Sequence, residues 1–323
     1  MTDAPQPLVS VIIPVYNRPV LVREAIDSAL ANAAVLPLEI LVVDDASTDD
    51  TWASLQSYSD PRLRLLRMER NSGQSTARNH GLDASEGTYV KYLDSDDVLV
   101  AGHLEREVRA MQQSSAGIAV SGWLSETQSQ TRESGAPHFT SIVDDVLAGL
   151  AVPTSAALYT RHTDWRWDRE LRKLDDWDYF IQAALDAGSI ATVDGPAYCM
   201  RDPASPRASE TGLLVNAREH HHILHKLEDR LSGAGLLTAS RRKRLAQYFY
   251  KELRVLSLYD RAAFDSGLAH VMALDPHFTP RDEERQWWMR MAARMLGTRE
   301  AILLHSFVKR NLGRHRTLVG RAS

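Results

Sequence analysis

Short apolar runs alternate with amphipathic segments along the first two hundred residues of the chain. Residues 9–15 (VSVIIPV) and 38–43 (LEILVV) are apolar runs with almost no polar break, which is typical of strands buried in a parallel sheet. Between them, residues 19–31 carry apolar side chains three and four positions apart, and this spacing predicts a helix with one buried face. A strand, a helix and a second strand in this order predict a parallel sheet that is covered by helices.

The alternation continues to about residue 200, and the pattern then changes. Residues 202–212 (DPASPRASETG) have the composition of a loop, and from about 213 to 308 the spacing is helical, with no β-branched strand run. We therefore predict an α/β domain at residues 1–212 and an α-helical region at 213–323. Five further strands are predicted in the first domain, at 62–68, 89–93, 117–124, 152–160 and 190–200. Three further helices are predicted: one begins near Asp49, and the other two span 73–85 and 176–187.

The composition indicates an ordinary globular protein. Of the 323 residues, 44% are hydrophobic and 25% are charged, and the net charge of −4 gives no reason to expect a nucleic-acid partner. A single cysteine, Cys199, excludes an internal disulfide and fits a reducing compartment. The N-terminal stretch lacks the basic and apolar regions of a signal peptide, and no run of about 18 apolar residues is present. These features predict a cytoplasmic protein.

Two groups of acidic residues follow predicted strands directly. Asp44 and Asp45 end one strand, and the sequence Asp94-Ser95-Asp96-Asp97 ends another. Ligands of open α/β sheets bind beyond the carboxyl ends of the strands, and carboxylates this close repel one another unless a cation lies between them. Mg²⁺ or Mn²⁺, which prefer oxygen ligands, would relieve the repulsion. For Asp97, and for Asp49 further along the chain, a turn-forming or helix-capping role is an equally open alternative.

A third acidic group, Asp175-Asp176-Trp177-Asp178, lies at the start of a predicted helix. Acidic residues in a first turn complement the helix dipole, and the group needs no other explanation. A carboxylate here is also a candidate general base that would deprotonate an acceptor hydroxyl. Taken alone, the pattern leaves both interpretations open.

Four motifs in fixed order give the chain a specific resemblance. They are VSVIIPVYNR, VVDDASTDDT, NSGQSTARNHGLDASEGTYVKYLDSDD and WDRELRKLDDWDYF, and they fall within residues 8–205. In this order they resemble glycosyltransferase family 2. That resemblance implies the GT-A fold, the α/β class with a Rossmann-like mixed sheet flanked by helices that is found in nucleotide-diphospho-sugar transferases.

The resemblance also implies a role for each matching residue. It implies a divalent ion, Mn²⁺ or Mg²⁺, bound by Asp96 and Asp94, and a catalytic base, Asp176, with Asp175 beside it. The residues that it places around the nucleotide-sugar donor are Pro14, Tyr16, Asp44, Asp45, Arg78, Asp94 and Ser95, and those on the acceptor side are Thr154, Ser155 and Trp177.

Two positions depart from the family pattern. The family often carries a metal-binding histidine after its last strand, but residues 198–205 (YCMRDPAS) contain none, so Asp202 or water is the remaining candidate for that position. Gln182 stands where an arginine is usual. Arg201 and Arg207 are therefore the candidates to pair with the diphosphate.

The predicted activity is inverting transfer of a sugar from a nucleotide-diphosphate sugar, such as a UDP-sugar, to an acceptor hydroxyl in polysaccharide, glycolipid or glycoconjugate synthesis. A sugar-1-phosphate nucleotidyltransferase is one alternative, although its glycine-rich loop is missing after the first strand. A catalytically degenerate protein that binds sugar nucleotides is another.

Two features of the helical region leave the prediction unchanged. His220, His221, His222 and His225 are of a metal-binding type, and His221 and His225 share a helix face. The glutamate pattern of a zinc protease is absent, so a polar helix face is the favoured interpretation. Residues 301–323 carry five basic side chains and no acidic one. Both a solvated end and peripheral contact with the anionic inner face of a membrane stay open for them.

Overall fold

The computed structural model describes residues 6–33, 36–127, 130–201 and 212–278. They divide into two compact units, Met1–Glu210 and Thr211–Ser323. The part of the predicted helical region beyond residue 278, which includes the basic stretch at 301–323, lies outside the described residues.

The first unit is a mixed α/β structure. Its strands are β1 (Val9–Val15), β2 (Leu38–Asp44), β3 (Leu63–Arg67), β4 (Tyr89–Tyr92), β5 (Val98–Leu99), β6 (Ile118–Glu126), β7 (Thr131–Ser134), β8 (Ala157–Thr160) and β9 (Ile190–Arg201). Its helices are α1 (Leu21–Asn32), α2 (Thr51–Leu55), α3 (Gln74–Ala84), α4 (His103–Ser114), α5 (Ile142–Leu147) and α6 (Asp175–Ala187).

The strands form one sheet in the order β3-β2-β1-β4-β8-β6-β9-β5, and β7 pairs with the C-terminal part of β6. Strands β3, β2, β1 and β4 run parallel, as the sequence predicts. Strand β8 pairs antiparallel with both β4 and β6, and β5 pairs antiparallel with β9. The predicted mixed α/β sheet with flanking helices is confirmed.

One predicted strand is shorter than expected. Instead of extending over 152–160, the chain forms a 3-10 helix at Thr154–Ala156, and strand β8 begins only at Ala157. Pro153 precedes the short helix. Proline has no N–H to donate to a strand ladder, which explains why pairing starts after it. Helices α4 and α5 and strands β5 and β7 were not predicted from the sequence pattern.

The strand register places three loops at one edge of the sheet. Val15 at the end of β1 pairs with Asp44 at the end of β2, and Ile12 of β1 pairs with Tyr92 at the end of β4. The residues that follow these parallel strands therefore lie at the same edge of the sheet. This edge is where ligands of open α/β sheets bind.

Helix α3 packs closely against strand β1. A Cβ atom built on Gly81 would lie 2.5 Å from Ile12 Cγ2, a distance that side chains do not tolerate, so glycine is needed for this approach. Arg78, almost one turn earlier in α3, is only 2% exposed. The close contact between α3 and β1 thus holds Arg78 in a buried position near the edge of the sheet.

A buried ion pair lies between the sheet and helix α4. Lys91 Nζ of β4 donates to both carboxylate oxygens of Glu107, at 2.8 and 2.9 Å, and neither side chain is exposed. Ser121 Oγ of β6 also donates to Glu107. Burial opposes both charges, because it lowers the pKa of Lys91 and raises that of Glu107. The pair therefore depends on both partners being present.

The second unit, as far as it is described, consists of helices. They are α7 (Leu213–Gly233), α8 (Ala239–Tyr259) and α9 (Arg261–Leu274). The Asp260 carboxylate accepts from the N–H of Ala263 and so caps α9 at the point where α8 ends.

The core of the second unit is apolar. Fully buried side chains, among them Leu227, Phe249 and Phe264, form it. Among the described helices, none is both long and apolar enough to cross a membrane.

Candidate active site

A cavity of about 910 Å³ opens at the sheet edge where β1, β2 and β4 end. This volume is within the usual range of about 300–1,000 Å³ for small-molecule sites. The predicted site residues that line it are Pro14, Tyr16, Asp45, Arg78, Asp94, Ser95, Asp96, Thr154, Ser155, Asp175 and Asp176.

Tyr16 stands on a turn that is locked to the neighbouring loop. Asn17, which follows it, has a φ of 52°, a left-handed conformation that asparagine tolerates. The Asn17 N–H donates to Ser47 Oγ, and its side-chain oxygen accepts from the N–H of Thr48, each at 2.9 Å. Tyr16 itself is 41% exposed, so its ring is available to stack on a ligand.

The two aspartates that end β2 have different surroundings. Asp45 lines the cavity and accepts from the N–H groups of Ser72 and Gly73, both at 2.8 Å, which fixes the loop before α3. Asp44 is fully buried away from the cavity lining, where it accepts from the N–H of Ser47 and lies 3.2 Å from Arg67. Asp44 therefore positions the strand end and does not face the cavity.

Asp94 and Asp96 each share their carboxylate with an arginine. Arg78 Nη2 lies 2.6 Å from Asp94 Oδ1, and Arg18 Nη1 lies 2.5 Å from Asp96 Oδ2. Among the described residues, the second carboxylate oxygen of each aspartate forms no hydrogen bond or ion pair. Two carboxylate oxygens at one cavity are a donor set that suits Mn²⁺ or Mg²⁺.

Ser155 joins the acidic loop to the short 3-10 helix. Its hydroxyl accepts from the N–H of Asp94 and donates to Asp97 Oδ2, each at 3.3 Å. Asp97 thus helps to hold the loop. Asp49, the other aspartate with an open role, accepts from the N–H and hydroxyl of Thr51 and shapes the start of α2.

Asp175 anchors an ion-pair network in the wall of the cavity. It is 2% exposed and accepts from Gln74, from Ser75 and from Arg78 Nη1, the last at 2.8 Å. The Arg78 guanidinium lies 4.2 Å from the ring centre of Trp167. Although burial opposes the charge, Asp94 and Asp175 together raise the pKa of Arg78, so it remains a cation that joins the two acidic groups.

Asp176 lies beside this network without an arginine of its own. Burial, and then the neighbouring Asp175, raise its pKa to about 7, against the weaker effects of a hydrogen bond from the N–H of Trp177 and of Arg78. Among the described residues, that backbone N–H is its hydrogen-bond donor. A carboxylate with a pKa near neutrality, placed at a cavity wall, has the properties of a general base.

Comparison with known proteins identifies the family of this domain. A family model described as Glycosyl transferase family 2 matches residues 10–170. The chain belongs to glycosyltransferase family 2. The predicted family is thereby confirmed, and with it a glycosyltransferase domain at these residues. Asp175 and Asp176 lie just beyond the matched residues, so their roles rest on the geometry of the cavity.

Relatives and solved structures agree with the family and the fold. The Escherichia coli UDP-Glc:alpha-D-GlcNAc-diphosphoundecaprenol beta-1,3-glucosyltransferase WfgD is 38% identical over 104 residues, which are 32% of this chain and 41% of that protein. The chain spans less than half the length of the curated relatives that it matches, for example 32% of the succinoglycan biosynthesis protein ExoO of Rhizobium meliloti and 47% of the Bacillus subtilis protein TuaG. The structure of S. aureus TarS 1-349 in complex with UDP-GlcNAc superposes with a TM-score of 0.70 at 19% identity, covering 94% of this chain and 92% of that chain. The mannosyltransferase PcManGT from Pyrobaculum calidifontis, in complex with GDP-Man and Mn²⁺, gives a TM-score of 0.50 at 18% identity, covering 94% and 87%.

The structure places some of the family's expected residues outside the cavity lining. Trp177 is buried, and its indole N–H donates to the carbonyl of Leu150. Gln182, which replaces the usual arginine, accepts from the N–H of Arg166 and donates to its carbonyl. Arg201 donates to the carbonyl of Asp96 and pairs with Glu24. Asp202 and Arg207 lie outside the described residues.

Other residues of this family 2 chain line the cavity without having been predicted. Arg18 follows β1, and Arg169 and Leu171 belong to the loop before α6. The stretch 72–75 forms the end of the loop before α3 and the first two residues of that helix. The Ser-Gly-Gln-Ser sequence at a strand-to-helix junction is a signal that could have identified it, because N–H groups at a helix start favour anionic ligands.

Proposed function

We propose that this chain is an inverting glycosyltransferase that moves a sugar from a nucleotide-diphosphate sugar to an acceptor hydroxyl. One observation carries the proposal. The carboxylates of Asp94 and Asp96, which suit a divalent ion, line the same cavity as Asp176, whose pKa is about 7. The reaction requires that the negative charge on the leaving diphosphate be neutralised and that the proton on the attacking hydroxyl be removed. The cavity has groups for both tasks.

The donor side is assigned to the loops after β1, β2 and β4. Tyr16 would stack on the nucleoside base, and Asp45 would accept a hydrogen bond from it. Arg18 and Arg78 hold positive charge at the cavity, which would be attracted to the diphosphate. Asp94 and Asp96 would bind Mn²⁺ or Mg²⁺, which when present neutralises negative charge on the departing nucleoside diphosphate.

Asp176 is assigned the removal of the acceptor proton. As the acceptor oxygen forms its bond to the anomeric carbon, its proton passes to the Asp176 carboxylate and the bond to the diphosphate breaks. A single displacement of this kind inverts the configuration at the anomeric carbon. Thr154 and Ser155 are assigned to the acceptor side. Asp175 positions the site by holding Arg78, and it is not assigned a proton transfer.

A UDP-sugar is the proposed donor class. TarS is described in complex with UDP-GlcNAc, and the name of WfgD specifies UDP-Glc and a diphosphoundecaprenol-linked acceptor. We propose by analogy that the acceptor is a hydroxyl of a growing polysaccharide, glycolipid or glycoconjugate. The protein would meet a lipid-linked acceptor at the cytoplasmic face of a membrane.

Turnover of a panel of nucleotide sugars tests the proposal. The purified chain is incubated with UDP-, GDP- and dTDP-sugars and with Mn²⁺ or Mg²⁺, and the release of nucleoside diphosphate is measured. We expect metal-dependent release from UDP-sugars, which is lost in Asp96→Ala. The matched control is Asp83→Asn, a carboxylate at the protein surface.

Two results would contradict the proposal. Release of pyrophosphate from a nucleoside triphosphate and a sugar 1-phosphate would identify a nucleotidyltransferase instead. Tight binding of sugar nucleotides without turnover of any of them, with metal present and with a range of sugar acceptors, would identify a degenerate binding protein.

A further inference from the structure

A cluster of histidines joins helices α7 and α9 in the second unit. His225 and Glu228 are three positions apart on α7 and therefore share one face of that helix. The structure adds His270 of α9, which the sequence pattern did not connect with them. The ring centres of His225 and His270 are 4.6 Å apart, and His270 Nε2 lies 2.6 Å from Glu228 Oε2.

Three potential ligand atoms converge in this cluster. His225 Nδ1 lies 4.0 Å from Glu228 Oε2, and the ligand atoms of His225, Glu228 and His270 all lie within 4.8 Å of one another. Ligand atoms around a tetrahedral Zn²⁺ are about 3.3–3.5 Å apart, given metal–ligand distances of about 2.0–2.2 Å. The observed separations bracket that value, so modest side-chain rotations would close the three groups around one ion.

The surroundings of the cluster are those of a binding site that solvent can reach. The side chains of His225, Glu228 and His270 are 45%, 17% and 29% exposed. The ring of Phe249 on α8 packs against both imidazoles, at 4.8 and 4.9 Å between ring centres. An apolar shell of this kind strengthens the interaction of an ion with its ligands.

Helix α9 approaches through a glycine. A Cβ atom on Gly267, three positions before His270, would lie 2.3 Å from Leu253 Cδ2 and 3.0 Å from His221 Nε2. His221 Nε2 is itself buried and has no hydrogen-bond partner among the described residues. The close approach of α9 therefore brings His270 to the polar groups of α7.

We propose that His225, Glu228 and His270 form a binding site for a divalent transition-metal ion, and that Zn²⁺ is the ion it takes. Two imidazole nitrogens and one carboxylate oxygen are a ligand set that favours zinc over magnesium or calcium. Water completes the coordination. The site is separate from the carboxylates proposed to bind the donor's metal, and it holds α7 and α9 together.

Metal binding is tested with the full-length chain carrying Asp96→Ala, so that the donor's metal site is weakened. Equilibrium dialysis against Zn²⁺ in excess Mg²⁺ should leave one Zn²⁺ bound per chain. Glu228→Gln and His270→Ala should each weaken that binding by about tenfold or more, because one of three protein ligands is lost. His277→Ala, which removes an exposed histidine beyond α9, should leave it unchanged.

Two further measurements separate loss of the site from loss of the fold. Circular dichroism should show the same helix content in Glu228→Gln as in the parent. The visible absorption spectrum of the Co²⁺-loaded parent should show the strong bands of tetrahedral coordination, and Glu228→Gln should lack them. The proposal is overturned if the parent retains no Zn²⁺, or if the Glu228 and His270 variants retain as much as the parent.

Discussion

Arg18 Nη1 lies 2.5 Å from Asp96 Oδ2, and both residues line the cavity. The two residues follow different strands, β1 and β4, which run parallel side by side. Asp96 is the carboxylate that we assign to the divalent ion. A guanidinium therefore occupies part of the ligand set that the ion would use, and the ion and the arginine compete for one carboxylate.

Arg18→Ala should tighten the binding of Mn²⁺ in the absence of donor. A unit charge and a divalent ion about 5 Å apart in solvent-like surroundings repel by about 1–2 kcal/mol, so we expect about a tenfold lower Kd for the ion. Titration calorimetry or Mn²⁺ electron paramagnetic resonance measures it. Arg18→Lys keeps the charge and should behave like the parent. Weaker Mn²⁺ binding by Arg18→Ala would show that the arginine supports the metal site.

Replacing Asp176 should separate chemistry from binding. Asp176→Asn keeps the shape and removes the basic oxygen, so transfer should fall by about 10²–10⁴-fold while UDP and Mn²⁺ bind as before. Asp175→Asn should instead weaken the network that holds Arg78, and donor affinity should fall with activity. Steady-state kinetics and calorimetry on both variants make the comparison. Full activity in Asp176→Asn would place the base elsewhere.

The activity should depend on pH through Asp176. Its pKa is raised to about 7, and only the deprotonated form accepts a proton, so kcat/KM should rise with pH and level off above about 7. Initial rates between about pH 5 and pH 9, at saturating metal, give the profile. The small residual activity of Asp176→Asn should lack this rise. A flat profile in the parent would contradict the assignment.

The same carboxylate should make the fold less stable at neutral pH. The pKa of Asp176 is raised from 3.8 to about 7 in the folded state, so the unfolded chain releases this proton first, and stability falls as pH rises between those values. Asp176→Asn has no such cost. Its Tm should exceed that of the parent at pH 8 and match it at about pH 3.5. Equal Tm values for the parent and Asp176→Asn at pH 8 would show that ionisation of Asp176 does not destabilise the fold.

The buried pair of Lys91 and Glu107 should show strong coupling in stability. Lys91→Met leaves an unpaired buried carboxylate and should lower the free energy of unfolding by about 3–5 kcal/mol. The double variant Lys91→Met/Glu107→Leu removes both charges and should recover most of that loss. Urea unfolding curves of the single and double variants complete the cycle. Additive losses would show that the two side chains act independently.

The edge of the sheet that forms the site, and the residues that meet there, follow from the amino-acid pattern alone. Tyr16, Asp45 and Asp94 directly follow apolar runs that predict parallel strands. Because parallel strands all have their carboxyl ends at the same edge of a sheet, the residues that follow them are expected to lie together. The same local reasoning predicted a helix at 176–187, one residue short of the observed start of α6 at Asp175. It also explains the one strand predicted too long, where Pro153 prevents pairing that the apolar pattern alone would allow.

Which of these side chains face the cavity, and which partner each one contacts, depends on how the separate elements pack. Asp44 and Asp45 are neighbours in the chain, yet one is buried against Arg67 and the other lines the cavity. Asp175 is held by Arg78, and Asp176 is left with its pKa raised.

The same holds for contacts between residues far apart in the chain. Arg18 reaches Asp96, and His270 reaches Glu228, across 78 and 42 positions of sequence respectively. A local sequence pattern does not reveal contacts over such sequence separations, because burial and ion pairing depend on how separate elements pack. The sequence therefore specified the chemical groups of the site, and packing assigned each group its partner, its charge and its access to a ligand.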